Sequence, residues 1–120
     1  AELGAATVKR TALYHRVHHF MTDYDFLICP VTQVLPFDVT QEYITEINGV
    51  QMETYIDWMK SCYLISALGL PAISVPCGFT DDGLPEGIQI VGRHQEDLGV
   101  LQLAYAFQEA TRYWERRPSL

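Results

Sequence analysis

The chain has 120 residues and a mass of 13.7 kDa, the size of one domain. Its 48% hydrophobic and 19% charged content excludes an intrinsically disordered chain, and no apolar run reaches the roughly 18 residues needed to span a bilayer. Eight Lys and Arg against fifteen Asp and Glu give a formal charge of −7, which argues against a nucleic-acid partner because phosphate contacts need a basic face.

The first segment, about residues 3–24, reads as a helix. Leu13, Val17, Phe20 and Met21 recur at i, i+4, i+7 and i+8 and form one apolar stripe. His15, His18 and His19 stand at i, i+3 and i+4 of that helix, a spacing compatible with a metal. Arg16 beside them, and the lack of nearby paired acids, favour a solvated face, so no metal is expected. The start, Ala1-Glu2-Leu3-Gly4, has no initiator Met and no signal-peptide pattern, and reads as a cut or processed end.

Residues 25–29 are a short apolar run stopped by Pro30, which favours a buried strand, and residues 30–36 then read as a loop. Asn48-Gly49 is a strong hairpin signal, because both central residues of a type I′ turn need positive φ. A two-residue loop there sets Ile47 opposite Val50 and Thr45 opposite Met52, with Glu46, Gln51 and Glu53 on the polar face. From Val17 to Met59 there are seven acids and no Lys or Arg, read as a solvated acidic face.

Residues 55–68 read as a second helix with a narrow polar stripe of Asp57, Lys60 and Ser61, hence buried on most sides. Asp57 pairing with Lys60 at i, i+3 is favoured over recognition of a cationic substrate group. Gly69 follows as the C′ residue. Residues 72–76 form a short strand, residues 80–83 a turn, and residues 87–92 a second strand bracketed by glycines. Gln89 is polar within that apolar strand, so it is expected to tie down buried backbone or face a neighbouring layer. The last helix spans about residues 97–114, with Val100, Leu103, Ala104 and Phe107 on one face and Pro118 as its stop.

Three cysteines, Cys29, Cys62 and Cys77, are odd in number and widely spaced, which indicates reduced thiols in a cytoplasmic protein rather than a zinc site or disulfides. Cys77 reads as a small core residue, His94 as a loop residue, and Trp58 and Trp114 as core aromatics. The order α, β, hairpin, α, β, β, α describes an α/β layered structure with a small mixed sheet, flanking helices and a small β-hairpin. Strands 26–29 and 72–76 are expected to run parallel through the second helix, and strands 72–76 and 87–91 antiparallel. Such a domain is thin, so it either associates with a second copy or forms one piece of a larger sheet.

One stretch carries more information. It runs Gly69-Leu70-Pro71-Ala72-Ile73-Ser74-Val75-Pro76-Cys77-Gly78-Phe79 and continues Asp82-Gly83-Leu84-Pro85-Glu86-Gly87-Ile88-Gln89-Ile90-Val91-Gly92. It resembles the C-terminal part of the amidase signature family, with its pattern GlPaisvPxGf…dGlPxGxQivG. Tyr24-Asp25-Phe26-Leu27-Ile28-Cys29-Pro30-Val31-Thr32 is similar to the family's yDvlltPt segment. Residues 101–108 are similar to its terminal helix. The match covers essentially the whole chain in order.

The resemblance implies an α/β/α layered amidase fold and hydrolysis of a carboxylic amide to acid and ammonia or amine, without a cofactor. The family uses a serine nucleophile, a second serine and a lysine, with backbone donors for the oxyanion. Those groups lie N-terminal to the matched part. Ser61, Ser66, Ser74 and Ser119 are not in a Gly-Ser-Ser setting, and the only lysines are Lys9 and Lys60. No catalytic residue is therefore assigned to this chain, and alone it is expected to be inactive. Pro30, Val31, Thr32 and Trp58 are implied as substrate-lining residues. Ser66 stands where the family often has Asn, which leaves the subfamily open. The implied partners are the N-terminal part of the same amidase or a second copy, and a small-molecule amide, with no membrane involved. Two alternatives stand beside this reading: a non-catalytic association module, and the A component of a tRNA-dependent amidotransferase.

Overall fold

In a computed structural model, residues 2–117 are described. In chain order they form α1 (Glu2–Phe20), β1 (Phe26–Pro30), β2 (Glu46–Ile47), β3 (Val50–Gln51), a 3-10 turn (Asp57–Met59), α2 (Lys60–Leu68), β4 (Ala72–Phe79), β5 (Pro85–Gly92), α3 (Asp97–Thr111) and a second 3-10 turn (Tyr113–Glu115).

The last strand in sequence is the central strand in space. The sheet order is β1-β5-β4, with β5 antiparallel to both neighbours. β1 and β4 run in the same direction, as expected, but they are not adjacent. The expected mixed sheet is thus antiparallel in every hydrogen-bonded pair among the described residues. The reason is local: the turn after Phe79 folds β5 back onto β4, and β1 then finds its ladder on β5's free side. Thr80 holds that turn, with its N–H donating to the Leu84 carbonyl and its Oγ1 accepting from the Leu84 N–H. Gly83 takes φ +82° within it, a conformation that side-chain-bearing residues disfavour.

The ladder of β4 on β5 shifts between Pro76 and Gly78, leaving Cys77 as a bulge. Pro76 has no N–H to donate, so the irregularity falls where the ladder has least to lose. Beyond the bulge, residues alternate between the two faces of β5. Ile88 and Ile90 turn toward α3, where Val75, Ile90, Val100 and Ala104 make the buried core, packed by Phe26, Ile73, Leu103 and Phe107. Gln89 and Val91 turn to the opposite face, and both are buried.

The hairpin forms as expected. Asn48 and Gly49 both have positive φ, Ile47 pairs with Val50, and the Met52 N–H donates to the Thr45 carbonyl. Met52 is buried beneath it, while Gln51 donates to Glu46 on the polar face.

The helices depart from expectation at their ends and in their burial. The second helix opens with the 3-10 turn rather than at Tyr55, and α2 itself starts at Lys60. Thr54 and Asp57 explain the start: the Thr54 N–H and Oγ1 both donate to Asp57 Oδ2, a side chain reaching back over the first turn as in a capping box. Gly69 ends α2 in the left-handed conformation, as expected. α3 stops at Thr111 because Arg112 turns left-handed, and the Arg112 N–H closes the helix on the Gln108 carbonyl. The chain then doubles back, placing the Arg116 guanidinium 4.1 Å above the Phe79 ring. Trp114, expected in the core, is left about half exposed by this turn. Pro118 lies outside the described residues.

Of the stripe on α1, only Met21, just past its end, is buried; Leu13 and Val17 are half-buried and Phe20 is exposed. The segment expected as the second helix is not buried on most sides: Leu68 is buried, while Leu64 on α2 and Tyr55 and Ile56 ahead of it are about half exposed. Among the described residues, the three-stranded sheet and α1 leave part of this segment uncovered. No described helix is long and apolar enough to cross a membrane.

Candidate functional site

The loop that follows β1 is clamped at its start from three directions. The Pro30 carbonyl accepts from Gln89 Nε2 at 2.9 Å, and the same nitrogen donates to the Ser61 carbonyl at 3.0 Å. The Val31 carbonyl accepts from Ser61 Oγ at 2.6 Å and from Cys62 Sγ at 3.0 Å. The Val31 N–H donates to the Gly87 carbonyl. Gln89 thus performs the role its polarity implies, tying the loop to α2 across the buried face of β5. A buried carbonyl left without a donor costs about 1–3 kcal/mol, so these bonds fix the loop's entry angle.

The next residues run toward the turn before α2. Thr32 Oγ1 donates to the Val34 carbonyl at 2.8 Å, curling the loop on itself. Gln33 Nε2 donates to the Trp58 carbonyl at 2.6 Å and to the Asp57 carbonyl at 3.1 Å. The Trp58 ring stands perpendicular to Phe37 at 5.6 Å and to Tyr55 at 6.0 Å between centroids. Its Nε1 is buried without a hydrogen-bond partner among the described residues.

These elements enclose a groove of about 620 Å³. Pro30, Val31, Thr32 and Trp58, the four residues singled out from the sequence, all line it. Residues 33–37 complete the loop side, and Ser74, Pro76 and Gly87 form the sheet side. A Cβ on Gly87 would stand 3.4 Å from Val31 Cγ2 and 3.5 Å from Ser74 Oγ, so glycine there keeps the floor open. The wall is mainly apolar, and the Val31 N–H, the Thr32 hydroxyl and the Gln33 carboxamide are already engaged in hydrogen bonds. Gln33, Phe37 and Ser74 were not singled out from the sequence. The loop around Pro30 was the available signal for the first two, and the i, i+2 alternation of β4 for the third.

No nucleophile with a base appears here. Ser61 donates to Val31 and Ser66 to the Cys62 carbonyl, and no serine hydroxyl among the described residues is bonded to a lysine or histidine. Burial pushes the Cys29 thiol up from its ordinary value. Burial, with the negative charge of Glu86, does the same to Cys77, so neither is poised as a thiolate. All three cysteines are free. Asp57 does not form the expected ion pair with Lys60 among the described residues. Its carboxyl is held below the usual carboxylate range, first by the Thr54 hydroxyl and then by the Thr54 N–H, with Lys60 a lesser influence. That geometry commits the carboxylate to the turn.

The histidines gather elsewhere. His15, His18 and His94 surround the Tyr14 ring at 5.6, 6.0 and 5.7 Å. His18 and His94 also line a smaller cavity of about 370 Å³ with Arg93 and Glu96. Among the described residues no group of three potential ligands is placed to hold a metal.

The family model described as Amidase matches residues 2–101. The chain belongs to the amidase family. It is 37% identical over 120 residues to an acylamidase of Rhodococcus erythropolis, covering 98% of the chain and 25% of that protein. It is 34% identical to the A component of the glutamyl-tRNA(Gln) amidotransferase of Brevibacillus brevis, covering 91% of the chain and 21% of that protein. Among solved structures it resembles a bacterial aryl acylamidase of the amidase signature family, with a TM-score of 0.79 and 29% identity over 97% of the chain and 25% of that structure. A 6-aminohexanoate cyclic dimer hydrolase follows, with a TM-score of 0.78 and 27% identity over 97% of the chain and 26% of that structure. The chain thus has the α/β fold of one part of an amidase signature enzyme, and spans about a quarter of the length of these relatives.

Proposed function

We propose that this chain is the C-terminal part of an amidase that hydrolyses a carboxylic amide to acid and ammonia or amine. On this reading the serine nucleophile, the second serine and the lysine lie outside these 120 residues, and the chain supplies one wall of the acyl-group pocket. The single observation that carries the reading is the groove. Pro30, Val31 and Thr32 on the loop after β1 and Trp58 on the turn before α2 line one mainly apolar cavity. Its size falls in the usual range for small-molecule sites, and its wall contains no nucleophile–base pair among the described residues.

The half-exposed apolar residues of α2 and the turn before it, Tyr55, Ile56 and Leu64, support a partner surface, which we assign to the N-terminal part of the same enzyme rather than to a second copy. The free thiols support a cytoplasmic setting.

The test is direct. The full reading frame should encode a glycine- and serine-rich segment, preceded by a lysine, upstream of Ala1. The full-length protein should hydrolyse an acyl amide, with Trp58→Ala raising KM. The 120-residue chain alone should give no turnover. Turnover by the chain alone, blocked by a serine reagent, would overturn the placement of the catalytic groups.

The similarity to the A components of glutamyl-tRNA(Gln) amidotransferases favours a second reading, in which the parent protein is the A component of a tRNA-dependent amidotransferase. Amidotransferase activity on glutamyl-tRNA(Gln), without hydrolysis of simple acyl amides, would select it. The −7 charge counts against a tRNA-binding surface on this part of the protein.

A further inference from the structure

Gln33 has an unusual position for a loop residue. Its carboxamide Nε2 bonds two successive carbonyls, Asp57 and Trp58, of the turn that presents the Trp58 ring to the groove. Upstream, the loop is fixed at Pro30 and Val31 by Gln89, Ser61 and Cys62. Downstream, among the described residues, no hydrogen bond joins residues 34–37 to the rest of the fold. The perpendicular contact of Phe37 with Trp58 holds that half. Among the described residues, the carboxamide of Gln33 is therefore the one polar tie between the far half of the loop and the aromatic wall it faces.

We propose that Gln33 is a positioning residue that sets substrate selection. By holding the Trp58 backbone against the loop, it fixes the width of the groove between Trp58 and the Val34–Phe37 side. That width decides whether a bulky apolar acyl group fits. The proposal rests on the amidase reading of the groove, and the experiment separates the two.

The physical reason is donor count. Two carbonyl acceptors demand a nitrogen with two N–H bonds, which a glutamine carboxamide supplies and a carboxylate does not. Gln33→Glu keeps the shape of the side chain but replaces the donor with a negative acceptor facing two carbonyl oxygens. Gln33→Met keeps the length and removes polarity altogether. A residue that merely fills space tolerates the first change. A residue that positions Trp58 through its hydrogen bonds tolerates neither.

The full-length protein is measured as wild type, Gln33→Glu and Gln33→Met, with an acetyl amide and an aromatic acyl amide of the same amine. Each variant should raise KM for the aromatic substrate about tenfold relative to the acetyl substrate, the loss falling on KM rather than kcat. In parallel, protein labelled with 5-fluorotryptophan is examined by fluorine NMR, the Trp58 resonance being assigned by Trp58→Phe. That resonance should shift or broaden in both variants.

Gln33→Glu with a wild-type KM ratio and a wild-type Trp58 resonance overturns the proposal. A perturbed Trp58 resonance with an unchanged KM ratio overturns the selection role while leaving the amidase reading intact. A perturbed resonance in a full-length protein that, as wild type too, hydrolyses neither amide overturns the amidase reading, and with it the selection built on that reading.

Discussion

Gln89 Nε2 lies 2.9 Å from the Pro30 carbonyl oxygen, so the central strand reaches beyond its own ladder to hold the point where β1 becomes the groove loop. Gln89 is 7% exposed, which makes both of its acceptors costly to abandon. Gln89→Leu leaves the Pro30 and Ser61 carbonyls without this donor and should destabilise the fold by about 2–4 kcal/mol. Urea unfolding of the full-length protein measures it; a change below about 0.5 kcal/mol would show that water replaces the donor freely.

Gly92 ends β5 against α3. A Cβ there would overlap Val100 Cγ2, and Val100 is buried in the core. Gly92→Ala should cost about 1–3 kcal/mol through overpacking. Val100→Ala should relieve part of that cost, so the double variant should be less destabilised than the sum of the singles. Strict additivity in thermal denaturation would contradict the steric account.

Arg93 makes three contacts of unequal worth. Its Nε donates to the Met21 carbonyl at 2.9 Å and to the Tyr24 carbonyl at 3.1 Å, and its second guanidinium nitrogen pairs with Asp25 at 2.9 Å. The Asp25 side chain is 81% exposed, so solvent screens the ion pair. Asp25→Ala should therefore change stability by no more than about 0.5 kcal/mol. Arg93→Ala, which also releases the backbone after α1, should cost roughly 1–2 kcal/mol. Equal losses from the two substitutions would mean that the ion pair, not the carbonyl bonds, anchors α1.

Asp57 gives a pH dependence with a definite sign. Its carboxyl is depressed in the folded state by the Thr54 hydroxyl and N–H. A depressed carboxylate stabilises the fold fully above its unfolded value, the ordinary aspartate value of 3.8, and that contribution is lost as pH falls through the lower folded value. Thr54→Val should bring the Asp57 titration midpoint, read by carboxyl-carbon NMR, back up toward 3.8. The stability difference between wild type and variant should shrink in acid. An unmoved midpoint would show that Thr54 does not set it.

The parts of the fold that were legible from sequence are those decided by near neighbours. Asn48-Gly49 specified the hairpin because the turn's positive φ values are a property of those two residues. Gly69 closed α2 for a similar reason. Gln89 was legible as a tether because a lone amide among Ile88, Ile90 and Val91 has few other uses. The four pocket residues came from the family pattern, and the structure gathers them. What escaped was set by distant segments. Nothing in residues 26–30 says that their ladder partner begins at Ile88, so the insertion of β5 between β1 and β4 was invisible. The half-open surface of α2 was equally hidden, because apolar content specifies what a helix prefers and not how much of the described fold is there to cover it. Gln33 was missed because a loop glutamine bonding two carbonyls leaves no periodic trace.

The sheet order also sets a timetable. Among the described residues β1 has its ladder on β5, and Cys29 pairs with Gln89, which the ribosome reaches sixty residues later. At about 5–20 residues per second, the apolar Phe-Leu-Ile-Cys segment waits roughly 3–12 s before its partner is made. During that interval the edge of β1 that faces β5 is open in an emerging chain, so synthesis slowed between β1 and β5 lengthens the period in which that edge is exposed to capture by chaperones or by its own kind.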